Sequence, residues 1–331
     1  MTQALPRVID SDAVLERLSP IALIDALEKK HLEDYETIGR LYTPVSRVGR
    51  PGAEMLIWVG AQPDGSMGAK IVSISPDNGQ LSSPAPTVHS AFALVDPLDG
   101  HFRSFIVGES FTRCKTAADS ALAARYLAPL KPTKLVVLGA GAQARTHLTY
   151  LHAVCPGIER IDVWNRNRSR AEQLVEERFL PVNFHVSNDI EASVADADIV
   201  VCVTSSSTPV LDGKWLKQGC HVDLVGGFRP DMRETNDAAI LRSSVFVDHR
   251  KLTAEHCGDI FQPLKSGILD MSAIRGGLVR PVQEEGSRAT QPAGNYALQE
   301  RWRGASGFDG GGMAVRISTS IVSNSRVNRY G

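Results

Sequence analysis

The stretch Val136-Val137-Leu138-Gly139-Ala140-Gly141-Ala142-Gln143-Ala144 restricts the possible folds of this chain more than any other. An aliphatic run enters a G-x-G-x-x-A turn, and residues Ala142–Val154 continue with a helical pattern. Gly139 permits the tight turn, Gly141 lets main-chain N–H groups approach a diphosphate, and Ala144 keeps helix and sheet close. Ala142 and Gln143 complete the turn, whose amides combine with the helix N-terminus into an anion site. A glycine turn alone is compatible with an empty loop. Its position between a strand, a helix and a second strand is what selects dinucleotide binding.

The rest of the chain agrees with that reading. After the turn, IDVWNR, FHVSN, DIVVCVTSS, HVDLVGG and SVFVDH read as strands, with SRAEQLVEERF and EASVADA as helices between them. Strands alternating with helices at this spacing predict a Rossmann-type, doubly wound parallel sheet of the α/β class. Upstream the pattern differs. Residues 8 to 39 have roughly helical periodicity, with Ser11 and Ser19 as possible caps, whereas MLIWVGA, GAKIVSI and SAFALVDP are short strands of a meander. Asp96-Pro97-Leu98-Asp99-Gly100 reads as a turn, and the alanine-rich residues 112 to 128 as a helix ending before Pro129. The predicted organisation is an α+β domain over 1–128, a nucleotide domain over 129–286, and an atypical tail over 287–331.

At the end of the second nucleotide-domain strand, an acid would hold the ribose hydroxyls of NAD(H). This chain has Asn165 there, followed by Arg166 and Arg168. A carboxylate repels a 2′-phosphate and arginine accepts one, so NADP(H) is favoured and NAD(H) remains possible. The alternative for these arginines is a solvated loop. Thr204-Ser205-Ser206, at the end of another strand, is expected to line the cofactor cleft, because such sheets bind ligands at strand carboxyl ends.

Composition removes several classes of function. With 36 basic and 37 acidic residues the net charge is −1, which provides no field for nucleic acid or an acidic membrane. Five cysteines show no C-x-x-C pair and no Cys/His spacing suited to zinc, so no metal is expected and the thiols read as reduced. No apolar run reaches membrane-spanning length and the first residues have no apolar signal core, so a cytoplasmic location is expected.

Five blocks in order, GAKIVSISPDN, PTVHSAFALVDP, TRCKTAADSALAA, VVLGAGAQA and GGFRPDMRETN, resemble the ornithine cyclodeaminase/μ-crystallin family. The resemblance implies a substrate and dimerisation domain around an inserted Rossmann domain, hence a homodimer. It also implies hydride transfer between nicotinamide C4 and the α-carbon of an amino or imino acid. On its pattern Lys70 is the active-site lysine, suited to pairing with a carboxylate and assisting proton transfer at nitrogen. A lysine within a strand otherwise faces solvent more often than not. Arg47 is the candidate for the carboxylate-clamping arginine, with Arg50 as the alternative register. Thr87 falls on a cofactor contact, and His89 reads as a packed or solvated histidine. Lys115 stands where the family has arginine in R-T-A-A; it keeps the charge for a substrate or phosphate contact but loses the planar fork.

Two departures bear on activity. Ornithine cyclodeaminases carry an aspartate after the paired glycines, whereas Gly226-Gly227 is followed here by Phe228, which transfers no proton. Asp231 reads as a turn residue. Reduction of a ready-made imine needs no acid at that position. The family's closing block, close to EITLYKNGGGAHLDLM, is also missing. Read one nucleotide later, however, the codons permitted by Gly294–Gly310 are compatible with it at all sixteen junctions. This points to a shifted reading frame near residues 287–293, which the gene sequence tests; a divergent but genuine terminus is the alternative.

The leading expectation is an NAD(P)H-dependent reductase of a cyclic or small 2-imino acid such as Δ1-pyrroline-2-carboxylate. The alternatives are an ornithine cyclodeaminase, and a cofactor-binding protein without useful catalysis, whether μ-crystallin-like or damaged by its tail.

Overall fold

Between Arg7 and Val107 short runs of apolar and β-branched residues, separated by turns, form a six-stranded sheet. The computed structural model describes residues 5–32, 36–62, 66–275 and 313–317. These form two compact units: 5–19 with 36–115, and 20–32 with 116–275 and 313–317.

The first unit holds β1 (Arg7–Ile9), α1 (Ser11–Arg17), β2 (Glu36–Val45), β3 (Ala53–Ala61), β4 (Met67–Ile74), β5 (Val88–Val95) and β6 (Phe102–Val107). The sheet order is β1-β6-β5-β4-β3-β2, antiparallel except where β1 runs parallel to β6. The expected turn at 96–100 joins β5 to β6: the Asp96 carboxylate accepts from Leu98 N, and Gly100 has φ 77°. The helical expectation for residues 8–39 is corrected at both ends. Arg7–Ile9 and Glu36–Gly39 are strand, because each pairs with a sheet neighbour whose register overrides local periodicity. The cap of α1 is Asp10, which accepts from Ala13 N, rather than Ser11.

The second unit begins with a helix, α2 (Pro20–Leu32), and resumes inside α3 (Glu109–Leu127), so the boundary falls within that helix and not after it. Ala117, Ala118, Ala121, Leu122 and Ala123 of α3 are fully buried, and its Arg125 pairs with Asp25 at 2.8 Å and with Glu28 on α2. Next come β7 (Lys134–Leu138), α4 (Ala144–Val154), β8 (Arg160–Trp164), α5 (Arg168–Glu176), β9 (Asn183–Val186), α6 (Ile190–Val194), β10 (Ile199–Cys202) and β11 (His221–Leu224). Then follow α7 (Asp237–Leu241), β12 (Ser243–Val247), α8 (Arg250–His256), α9 (Gly258–Ser266) and β13 (Met313–Ile317). Every strand pair is parallel, in the order β12-β13-β11-β10-β7-β8-β9. This is the doubly wound Rossmann-type sheet that the strand–helix alternation predicts.

Both faces are covered, and β7 shows how. Leu135 and Val137 pack with Leu148 and Leu151 of α4 on one side, while Val136 and Leu138 join Val200, Val222 and Leu224 on the other. Full burial of each such aliphatic side chain stabilises by about 1.5–3 kcal/mol. All five cysteines are buried and none forms a disulfide. Among the described residues no helix is long and apolar enough to cross a membrane. The tail block Gly294–Gly310 lies outside the described residues; of residues 287–331 only Met313–Ile317 is described, as a strand between β11 and β12.

Candidate functional site

Strand β7 leads into Gly139, whose φ of 112° suits a residue without a side chain. A Cβ there would stand 2.8 Å from the Val203 carbonyl oxygen beyond β10. On that side Val203 N donates to Leu138 O at 2.9 Å, and on the other Gly139 N donates to Trp164 O at 2.8 Å and Ala140 N to Asn165 Oδ1 at 3.0 Å, which holds the turn between β10 and β8. Helix α4 then starts with Gln143 as its N-cap residue and no side-chain cap. Its first N–H groups are therefore directed at whatever occupies the turn, as diphosphate binding requires. Ala144 is fully buried against the sheet, and Ala142 is exposed beside Gly141.

The turn opens on a cleft of about 380 Å³ at the carboxyl ends of β7, β8 and β10. Gly139 and Gly141 form its floor. Asn165, Arg166 and Arg170 follow β8 on one side, and Thr204, Ser205 and Ser206 follow β10 on the other. The residues predicted from the strand ends thus meet in one cleft, with two changes of part. Asn165 is occupied by the loop itself, since its amide also donates to Asn167 O at 2.8 Å, so it shapes the turn. Arg168 pairs with Glu172 one turn along α5 at 2.7 Å and does not line the cleft, whereas Arg170 does. The i,i+4 acid decides between those two arginines. No acidic residue is among the cleft-lining residues. An open glycine floor, an uncapped helix and a basic rim fit a dinucleotide phosphate.

The wall beyond β10 is held by a group that sequence reading passes over. Glu234 is fully buried, and its carboxylate accepts from Thr204 N at 2.6 Å, Thr204 Oγ1 at 2.7 Å, Val225 N at 3.0 Å and Gly226 N at 2.6 Å. Asp259, also fully buried, accepts from Glu234 N and Thr235 N, each at 3.0 Å. Burial first, and then the neighbouring Asp259, push the Glu234 carboxyl well above the ordinary range, against the pull of its hydrogen bonds. Burial likewise raises Asp259. In a polar stretch such as Arg229–Asn236 nothing local marks one glutamate as buried. Nearby Phe228 follows the paired glycines, and Asp231 pairs with Arg229 at 3.0 Å, which holds it as a carboxylate below its ordinary value.

In the first unit, Lys70 is 5% exposed and lies in a row across the sheet, Arg40–Trp58–Lys70–Phe92 on β2 to β5. Its Nζ lies 5.8 Å from the centre of the Trp58 ring, and Arg40 Cζ lies 5.9 Å from the same centre. Cations over an indole face are held by its quadrupole. Arg40 is the second residue that sequence reading missed: only the register of β2 against β3 sets it on the lysine's row. Arg47 is engaged elsewhere, donating to Pro51 O at 2.8 Å and to Asp77 Oδ1 at 2.6 Å, while Arg50 donates to Asp77 Oδ2 at 2.6 Å. Arg50 foremost, joined by Arg47, holds Asp77 down to about 2. Thr87 is exposed, its carbonyl accepting from Ser75 N at 2.8 Å. His89 is half-exposed beside Glu109, and Lys115 is half-buried on α3.

Comparison with known proteins agrees with this architecture. A profile of the ornithine cyclodeaminase/mu-crystallin family matches residues 25–285. A Δ1-pyrroline-2-carboxylate reductase of Paracoccus denitrificans is 37% identical over 218 residues, 65% of this chain and 68% of that protein. The structure of Thermococcus litoralis Δ1-pyrroline-2-carboxylate reductase, in complex with NADH and L-proline, superposes with a TM-score of 0.80. It is 24% identical and covers 94% of this chain and 91% of that one. An archaeal alanine dehydrogenase dimer with bound NAD superposes at 0.78, with 19% identity, covering 95% of this chain and 91% of that one. The glycine turn, the buried lysine strand and the match along most of its length make this chain a member of the ornithine cyclodeaminase/mu-crystallin family.

Proposed function

We propose that this protein is an NAD(P)H-dependent reductase that converts a cyclic or small 2-imino acid, such as Δ1-pyrroline-2-carboxylate, to the L-amino acid. The observation that carries the reading is the Arg40–Trp58–Lys70 row, two cations flanking one indole, 5.9 and 5.8 Å from its ring centre, with Trp58 and Lys70 both buried. Such a place suits a small planar substrate with one carboxylate. Arg40 can grip that carboxylate bidentately, a part first assigned to Arg47, whose guanidinium is engaged by Asp77. When bound, the nicotinamide supplies a hydride to the imine carbon. Lys70, or a water it holds, supplies the proton to nitrogen, so that C=N becomes CH–NH with charge balanced.

On the cofactor side, Gly139, Gly141, Ala142, Gln143 and Ala144 would hold the diphosphate. Arg166 and Arg170 favour NADP(H), since the cleft offers a 2′-phosphate two cations and no carboxylate. Thr87 and Lys115 are assigned to the cofactor and substrate on the family's pattern. The homodimer is supported by the sheet face opposite Lys70. There Leu41, Ile57, Ile71, Ala91 and Val107 form an apolar row over five strands, with Leu41 56% and Ile71 39% exposed. Cyclodeamination is disfavoured, because Phe228 offers no proton and Asp231 is held as a carboxylate by Arg229.

The test is titration of purified protein with NADPH and NADH, followed by loss of reduced-nicotinamide absorbance with cyclic 2-imino acids. Reduction that disappears in Lys70→Met while cofactor affinity stays supports the reading. Cofactor binding without reduction of any imine leaves a binding protein, and ammonia released from ornithine overturns the use made of Phe228.

A further inference from the structure

Taking the cleft as a nicotinamide-dinucleotide site, we propose that Glu234 is a positioning residue that sets the nicotinamide-side wall by tying the ends of β10 and β11 together. Both strands run out of partners at that point. Beyond Cys202 and Leu224 the parallel ladder ends on one last bond, Val225 N to Cys202 O at 3.0 Å, and the main-chain donors of Thr204 and Gly226 have no ladder acceptor. One buried carboxylate takes both, together with the Thr204 hydroxyl and a second bond from Val225 N, two donors on each oxygen. A buried carboxylate is costly unless so satisfied, and buried donors are costly without an acceptor, so each side of the knot requires the other.

The knot is itself oriented. Arg233 N donates to Ser206 O at 2.9 Å, and Val210 N and Leu211 N donate to Glu234 O at 2.8 and 3.0 Å. Asp259 holds the Glu234 and Thr235 amides from α9. The two strand ends cross so closely that a Cβ at Gly226 would stand 1.8 Å from Thr204 O, leaving that position to glycine. The contacts of Thr204, Ser206 and Val210 fix residues 204–210, of which Thr204, Ser205, Ser206 and Val210 line the cleft. Arg166 and Arg170 lie on the other side of β7. A dinucleotide whose adenosine ribose is read there must extend its nicotinamide half towards β10. Glu234 therefore acts on one half of the cofactor only.

That asymmetry is measurable on the full chain. Glu234→Gln keeps the volume but turns one acceptor oxygen into a donor facing other donors. Affinities of wild type and variant are measured for NADPH and for adenosine 2′,5′-bisphosphate, which carries only the adenosine half. The expected result is an NADPH affinity weakened by about tenfold or more, with the bisphosphate affinity within about twofold of wild type. Unchanged NADPH affinity overturns the proposal, and so does an equal loss for both ligands, which marks a merely structural residue. Wild type that binds neither ligand sinks the cofactor reading instead. Should Glu234→Gln not fold, Thr204→Val removes the hydroxyl bond to Glu234 from a half-buried side chain, along with a long 3.4 Å bond accepted from Ser206 N. Unaltered NADPH affinity in that variant overturns the proposal equally.

Discussion

Replacing Gly139 by alanine tests the cofactor turn where its geometry is tightest. Two costs combine. An alanine at φ 112° leaves the regions that L-residues populate, which costs about 1–3 kcal/mol. The added methyl would also stand 2.8 Å from Val203 O and 3.3 Å from Val203 Cγ2, so either the turn or the end of β10 must move by some tenths of an ångström. Strain of that kind in a packed region adds about 1–3 kcal/mol. The sum, about 2–6 kcal/mol, corresponds to a melting temperature lowered by about 4–24 °C for a unit of this size. Movement of the turn also takes its amides off the diphosphate, so NADPH affinity should fall at least about tenfold. Thermal unfolding followed by circular dichroism, with fluorescence titration of NADPH, gives both numbers. A variant that melts within about 2 °C of wild type and binds NADPH equally well refutes the account of why glycine is there.

Three further outcomes are expected. Arg170→Ala should weaken NADPH by about tenfold, the low end for a charged contact at an exposed rim, and leave NADH nearly unchanged, whereas Arg168→Ala should alter neither; paired titrations decide. Asp77→Asn should lower the melting temperature at neutral pH. The folded value of Asp77, about 2, lies below its ordinary 3.8, so its stabilisation is complete above the ordinary value and is lost as pH falls through about 2. Melts of wild type and variant across acid pH should therefore converge, and a difference that persists at the acid end refutes the linkage. Ile71→Glu places a charge in the exposed apolar row of the six-stranded sheet and should convert a dimer to monomer by light scattering; a dimer that survives assigns its interface to another face.

Local pattern was enough for the nucleotide unit and not for the rest. Aliphatic runs, one glycine turn and helical spacing each carry their meaning within about a dozen residues, so the parallel sheet and its cofactor turn could be read directly. Lys70 was identified by its block, but its burial and its company were not, because a strand's two faces look alike until register is known. The pairing of Arg40 with Trp58 and Lys70, and the engagement of Arg47 by Asp77 thirty positions away, are set by strand register and by a loop crossing. Choosing Arg170 over Arg168 needed the course of α5 and the acid at Glu172. Glu234 is the clearest case. Its neighbours in the chain are polar, and only the packing of α9 and two strand ends around it removes it from water and turns an ordinary glutamate into the acceptor for four donors. Backbone chemistry is local and repeats along the chain, whereas the environment of a side chain is assembled from segments far apart in it.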